Sequence, residues 1–178
     1  IDKLGPNHPE VKLTQGRLAS VNWRMKSKKR FAELTHLVGA GDSSVQYELA
    51  ICYYTGNGTR QDFKESAKWL RKAAEQGHAY AQNYLGYQNY KGMGVPENLQ
   101  EAAKWFRKSA EQGDVSAQFS IGQSYHKGEG VKLDLKEAVK WYRKSAEQGN
   151  ALGQNNLGAV YANGLGVEKD EKEAVKWY

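Results

Sequence analysis

The chain of 178 residues holds a single cysteine, Cys52, and only three prolines. One thiol excludes an internal disulfide framework and a zinc site built from several cysteines. The scarcity of proline and the lack of alternating β-branched runs favour helices over strands. No apolar run approaches the roughly 18 residues of a membrane-spanning helix. The composition therefore predicts an all-α chain with no membrane span.

Positive charge exceeds negative charge, but the excess is local. The formal net charge is +6. Residues 1–41 carry eight Lys/Arg and three Asp/Glu, whereas residues 42–178 carry 18 and 17. Nucleic-acid binding needs a continuous positive surface, which the repeat-containing part of the chain does not offer. The excess lies in residues 24–30, and docking of this basic segment on nucleic acid or an anionic membrane is kept as an alternative function.

Internal repetition dominates the sequence after residue 41. Four tryptophans follow one another at a step of 36 residues: Trp69, Trp105, Trp141 and Trp177. Gly-x-Gly pairs recur at the same step, from Gly56/Gly58 onward. The repetition predicts four units, at residues 42–77, 78–113, 114–149 and 150–178. The last unit stops before the ending that the others share, so we expect a fragment or a lost tail.

Each unit is predicted to form two helices. The first ends at the Gly-x-Gly turn, where glycine takes a positive φ without steric cost. The second begins at an Asp62-x-x-Glu65 pattern or its equivalent, which is close to a capping box. Pairs such as Arg71/Glu75, four residues apart on the second helix, predict a solvated face with ion pairs.

Stacked hairpins can bury apolar faces that one hairpin cannot bury alone. We therefore predict an all-α superhelix, a solenoid of about four 36-residue helix-turn-helix repeats. Residues 1–41 match the repeat poorly, but Phe31, Leu34, Leu37 and Val38 form an apolar stripe. This segment is predicted to be a basic N-terminal helical cap, because terminal repeats are commonly atypical.

The second unit carries a specific motif: Leu85-Gly86, Gly92-x-Gly94-Val95, Glu101-Ala102-x-x-Trp105 and Ser109-Ala110-x-x-Gly113. This pattern resembles the Sel-1-like repeat, a relative of the tetratricopeptide repeat, over residues 42–178. Asn89 and Thr59 depart from it, since the other units have tyrosine and valine there. The resemblance implies a non-catalytic scaffold or adaptor that binds a partner protein or peptide segment on its concave face. For some bacterial members it implies instead an immunity-type inhibitor of a secreted toxin, which is a second alternative.

By the resemblance to tetratricopeptide arrays, the inward positions of the first helices and two lysines at their rim form the partner-binding site. The candidates are Tyr47, Ile51, Tyr54, Asn83, Tyr87, Tyr90, Lys91, Phe119, Gln123, His126, Lys127 and Asn155. Aromatic rings edged by amides suit an extended peptide or a helix, because tyrosine combines a large contact area with a hydrogen-bonding tip. The competing interpretation is that Tyr47, Tyr87 and Tyr90 fill the core between repeats.

Nothing in the sequence predicts catalysis. Cys52 has no histidine near it in sequence, and the four histidines lack metal-ligand spacing. The Gly-x-Gly turns follow helices, so they lack the strand–turn–helix context of a phosphate-binding loop. We expect no enzyme activity, no cofactor and no metal. The sequence shows no signal-peptide pattern, and the compartment, exported or cytoplasmic, stays open, as do the oligomeric state and the partner's identity.

Overall fold

The computed structural model describes the backbone from residue 9 to residue 178 and the side chains from residue 19 onward. Residues 1–8 of the predicted cap lie outside this part. The described residues form nine α-helices, a short 3₁₀ turn at Val38–Ala40, and no strand. The helices are α1 (Pro9–Leu37), α2 (Ser43–Thr55), α3 (Phe63–Glu75), α4 (Ala79–Lys91), α5 (Leu99–Glu111), α6 (Val115–Lys127), α7 (Leu135–Glu147), α8 (Ala151–Asn163) and α9 (Glu171–Trp177).

The second helices begin as their sequence predicts at the N-cap, but the capping glutamate has a different partner. The Asp62 carboxylate accepts hydrogen bonds from the backbone N–H groups of Lys64 and Glu65. The Asp62 N–H donates to the Tyr53 carbonyl of α2 instead of to a glutamate. Glu65 is therefore free to pair with Lys68, at 3.2 Å. The same ion pair recurs in α5, α7 and α9.

The helices pack in chain order, each against the next, as a solenoid requires. The core between the first two repeats contains Leu70 of α3, Leu85 of α4 and Trp105 of α5, all at most 4% exposed. Two further clusters continue the core towards α9. The predicted all-α solenoid fold is confirmed.

Polar side chains also join the repeats in a fixed pattern. The buried Gln82 of α4 donates to the Ala74 carbonyl at the end of α3, at 3.0 Å. Its side-chain oxygen accepts from Gln112, just after α5, at 2.7 Å. The pattern recurs one repeat later with Gln118, because these glutamines also follow the 36-residue step. Buried amides that satisfy both donor and acceptor fix the register of the stack.

The second glycine of each Gly-x-Gly turn lies against the start of the preceding second helix. Gly94 has a φ of 75°, and a Cβ there would overlap the Phe63 carbonyl group of α3. Gly58 makes the same approach to Ser27 in α1. The C-terminal half of α1 thus occupies the place of a second helix at the N-terminal end of the stack.

The apolar stripe of α1 is covered only in part. Leu34 is 1% exposed, whereas Phe31 and Val38 are half-buried and Leu37 is 53% exposed. The position equivalent to Leu37 in α5 is Ser109, which is buried and donates to the Ala79 carbonyl of α4. Leu37 is exposed because Pro9–Leu37 is one continuous helix, so the described residues supply no separate first helix against this side.

Candidate partner-binding face

The first helices α2, α4, α6 and α8 form one surface, which we name the first-helix face. Its helices carry almost no charge: Glu48, Lys91 and Lys127 are their only Lys, Arg, Asp or Glu residues. By contrast, α5 alone carries five such residues. Charge on the second helices keeps their surface hydrated, whereas the first-helix face presents rings, amides and hydroxyls.

The N-terminal half of the first-helix face is closed by aromatic rings that pack on one another. The Tyr47 ring stacks on His78 at 4.7 Å between centroids and meets Tyr84 at 5.9 Å. Tyr54 meets the edge of Tyr84 at 5.5 Å. Burial in this cluster raises the pKa of Tyr47 to about 12. Tyr47 and Tyr54 are half-buried, so they contribute both to the core and to the surface.

A cavity of about 180 Å³ lies between α4 and α6, near the middle of the face. It brings together four of the predicted binding residues, Tyr87, Tyr90, Phe119 and Gln123. Four further residues line it that sequence reasoning missed: Phe106, Ser120, Ser124 and Glu129. Tyr87 is 41% exposed, which places its ring at the surface.

The edge of this cavity is polar. The Tyr90 hydroxyl donates to the Glu129 carboxylate at 3.2 Å, and burial raises the pKa of Tyr90. Lys127 lies 3.9 Å from the same carboxylate. The Lys91 ammonium lies 5.0 Å from the centre of the Tyr90 ring, within range of a cation–π contact. The two lysines predicted at the rim thus both contact groups at one edge of the cavity.

The other predicted residues lie along the first helices without joining the cavity. Ile51 is half-buried on α2, and Asn155 is exposed on α8. Asn83 donates to the Asp114 carboxylate at 3.2 Å. The half-buried His126 ring lies 6.0 Å from the Tyr142 ring. None of the twelve predicted side chains is fully buried.

The basic segment of α1 is partly engaged. Arg30 donates through Nε to the Glu48 carboxylate of α2 at 3.2 Å and lies 3.6 Å from Glu33. The other four cations, Arg24, Lys26, Lys28 and Lys29, are exposed. Val21, Trp23 and Met25 of the same helix are also more than half exposed.

Groups with chemical reactivity are sparse in the part of the chain that is described. Cys52 is half-buried, and burial raises the pKa of its thiol, which favours the unreactive protonated form. No cluster of three or more His, Cys, Asp or Glu side chains suited to a metal ion occurs among the described residues. Over the same residues, no helix combines the length and the apolar character needed to cross a bilayer.

Stacked helical hairpins with one continuous first-helix face define the chain as a repeat protein of the solenoid class. The profile of the Sel1 repeat matches residues 43–78, 79–114, 115–150 and 151–178. The chain belongs to the Sel1 repeat family. Proteins of this family are generally non-catalytic scaffolds for protein interactions.

Two solved structures share sequence as well as fold with this chain. One is c5321, a protective antigen present in uropathogenic Escherichia coli strains that displays an SLR fold. It is 40% identical, with a TM-score of 0.80, and the match covers 83% of this chain and 32% of c5321. The other is a Sel1 repeat protein from Oxalobacter formigenes, 31% identical, with a TM-score of 0.81; the match covers 97% of this chain and 74% of that one.

A third structure, cysteine rich protein B of Helicobacter pylori, shares the fold alone. It is 20% identical, with a TM-score of 0.50, and the match covers 82% of this chain and 94% of that chain. A comparison with the curated proteins found no match. The present chain spans about a third of the c5321 structure.

Proposed function

We propose that this chain is a non-catalytic scaffold that captures a polypeptide segment of another protein on the first-helix face. The observation that carries the proposal is the contrast in charge between the two surfaces of the stack. The helices of the first-helix face hold three charged Lys, Arg, Asp or Glu side chains among four helices and expose the rings of Tyr80 and Tyr87. In stacked hairpins this face is the inner, concave one.

The chemistry of the face suits a peptide better than a small charged ligand. Tyrosine is enriched among residues that dominate binding energy at protein interfaces, since a rigid ring buries much area for little lost entropy. The amides of Gln123 and Asn155 offer donors and acceptors to a peptide backbone. No strongly charged patch on these helices would select a nucleotide or a metal ion.

The proposal is tested by capture followed by substitution. The tagged chain is used to isolate binding proteins, which are identified by mass spectrometry, and the affinity of one purified partner is then measured. Tyr87→Ala should weaken this affinity by at least about tenfold, because it removes an exposed ring near the middle of the face. Lys104→Ala, on the exposed side of α5, is the control and should leave the affinity unchanged. Unaltered affinity in Tyr87→Ala, with the helical circular-dichroism signal intact, would contradict the proposal.

Docking through residues 24–30 is the second candidate function. It is favoured by the exposure of Arg24, Lys26, Lys28 and Lys29 on α1. The fifth cation, Arg30, is paired with Glu48 and so contributes less to a docking surface.

The immunity-type alternative is a special case of protein capture, and a toxin among the isolated partners would support it.

A further inference from the structure

The cavity between α4 and α6 lies beside a small residue, Ser120. Ser120 lies at the position that Tyr84 occupies one repeat earlier, 36 residues before it. The Tyr84 ring contacts Tyr54 and Tyr47 of α2, and so fills the space between α2 and α4. At Ser120 no ring is available, and the space between α4 and α6 stays open. A ring at position 120 would therefore occupy part of this space.

Aromatic rings from three helices line the cavity. Phe106, which is 4% exposed, contributes to the lining from α5, and Tyr87 and Phe119 add further rings. The Ser120 hydroxyl donates to the Ser116 carbonyl at 3.0 Å, so its hydrogen is already used within α6. Ser124 likewise donates to the Ser120 carbonyl at 3.1 Å. A polar group entering the cavity would find neither of these donors free.

Charged groups of both signs lie at one edge of the cavity. The Glu129 carboxylate lines the space and accepts from Tyr90, and Lys127 lies 3.9 Å from the same carboxylate. The amide of Gln123 has no hydrogen-bond partner among the described residues and lies at the same cavity. It is placed to bind a peptide group next to a side chain that enters.

We infer that this cavity is the anchor pocket of the groove and takes one aromatic side chain, a phenyl ring, from the captured segment, with Ser120 as the residue that determines this specificity. The inference rests on the proposed function. A volume of about 180 Å³ is close to the roughly 150 Å³ that holds one benzene molecule in a protein interior. Rings at its walls allow edge-to-face contacts with the entering ring.

A titration with a small probe tests the pocket without the natural partner. N-acetyl-phenylalaninamide is added to the purified chain while amide resonances are followed by NMR. We expect selective shifts at Tyr87, Tyr90 and residues 119–124. N-acetyl-alaninamide at the same concentrations should produce shifts at least about tenfold smaller. Equal shifts with the two probes would overturn the inference.

Two variants copied from the preceding repeat sharpen this test. Ser120→Tyr places the Tyr84 side chain in the cavity and should abolish the phenyl-specific shifts. Ser116→Tyr copies the exposed Tyr80 of α4 onto α6, one turn before Ser120, and should leave the shifts intact. Ser120→Leu is the smaller replacement for use if Ser120→Tyr does not fold. Full retention of the shifts in a folded Ser120 variant would overturn the inference.

Two combinations of results distinguish a failure of the pocket inference from a failure of the proposed function. Capture that is lost in Tyr87→Ala but unchanged in folded Ser120→Tyr would leave the groove in place and refute the pocket. Phenyl binding that Ser120→Tyr abolishes, together with normal capture by Tyr87→Ala, would show a phenyl-binding cavity but refute both the proposed function and the role of the cavity in capture.

Discussion

Arg107 in α5 donates a hydrogen bond to the hydroxyl of Tyr125 in α6, and Arg143 in α7 makes the equivalent bond to Tyr161 in α8. The two guanidinium carbons lie 5.4 Å and 5.6 Å from the ring centroids. Each contact joins a second helix to the first helix of the next repeat. The position of Tyr125 is held one repeat earlier by Asn89, which is buried and donates to the Leu85 carbonyl within its own helix.

The hydroxyl of Tyr125 should therefore contribute measurably to stability. Tyr125→Phe removes the hydrogen bond and keeps the ring, and we expect a loss of about 1 kcal/mol in the free energy of unfolding by urea. Tyr53→Phe is the matched control, because Thr35 stands where the arginine would be. Its expected loss is below about 0.5 kcal/mol. Equal losses in the two variants would show that the Arg–Tyr contact between repeats adds nothing.

The close approach at Gly94 should make this position intolerant of any side chain. Gly94→Ala adds a Cβ that overlaps the Phe63 carbonyl group, and it strains a backbone with positive φ, so we expect a loss of about 2–4 kcal/mol. Gly113→Ala shares the positive φ, at 94°, but its Cβ would meet nothing within 4 Å. That variant should lose only about 1–2 kcal/mol. Equal losses of unfolding free energy in Gly94→Ala and Gly113→Ala, measured in urea, would argue against tight contact between repeats.

The fold could be predicted from the sequence because a constant step of 36 residues constrains every unit at once. The tryptophans, the Gly-x-Gly turns and the N-caps all repeat. A departure at one position therefore does not change the fold that the other positions predict. The Arg/Glu pairs predicted along the second helices did not indicate the partner that the arginines have in the structure. Arg107 lies near Tyr125 only after two repeats stack, and spacing within one helix carries no information about this partner.

The cavity was not predicted from the sequence either. The sequence singles out large residues able to bind, such as Tyr87 and Tyr90, whereas the space lies beside a residue that is small. A comparison of equivalent positions, Glu48, Tyr84, Ser120 and Asn156, would have revealed the change in size. Exposure of Leu37 was also missed, because it follows from the length of α1 and not from the apolar stripe itself.

His78 should make the stability of the chain depend on pH near neutrality. Its Nδ1 accepts the Ala81 N–H at 3.2 Å as the N-cap of α4, and burial lowers its pKa below the ordinary 6.5. The neutral form is thus favoured in the folded state. Stability is fully present above about pH 6.5 and is lost as the pH falls through the lowered folded pKa.

His78→Asp provides the check, since aspartate is the N-cap of α2 and α6. Between pH 7 and pH 5 the wild-type chain should lose more stability in urea unfolding than the variant. A parallel decline of both chains over this range would mean that the His78 cap does not titrate with folding.

Salt dependence should separate the first-helix face from the basic segment of α1. A nearly uncharged face predicts that the affinity for a purified partner changes less than about threefold between about 50 mM and about 200 mM salt. The double variant Lys28→Gln/Lys29→Gln should bind as the wild type does. A steep loss of affinity with salt, reduced in the double variant, would instead assign binding to residues 24–30.

The location of the bound segment is the most direct test of the account. A photoreactive phenylalanine analogue is placed at position 87 on α4 or at position 104 on α5, and a purified partner is cross-linked and mapped by mass spectrometry. Capture on the first-helix face predicts efficient cross-linking from position 87 and none above background from position 104. Cross-linking from position 104 with none from position 87 would contradict it.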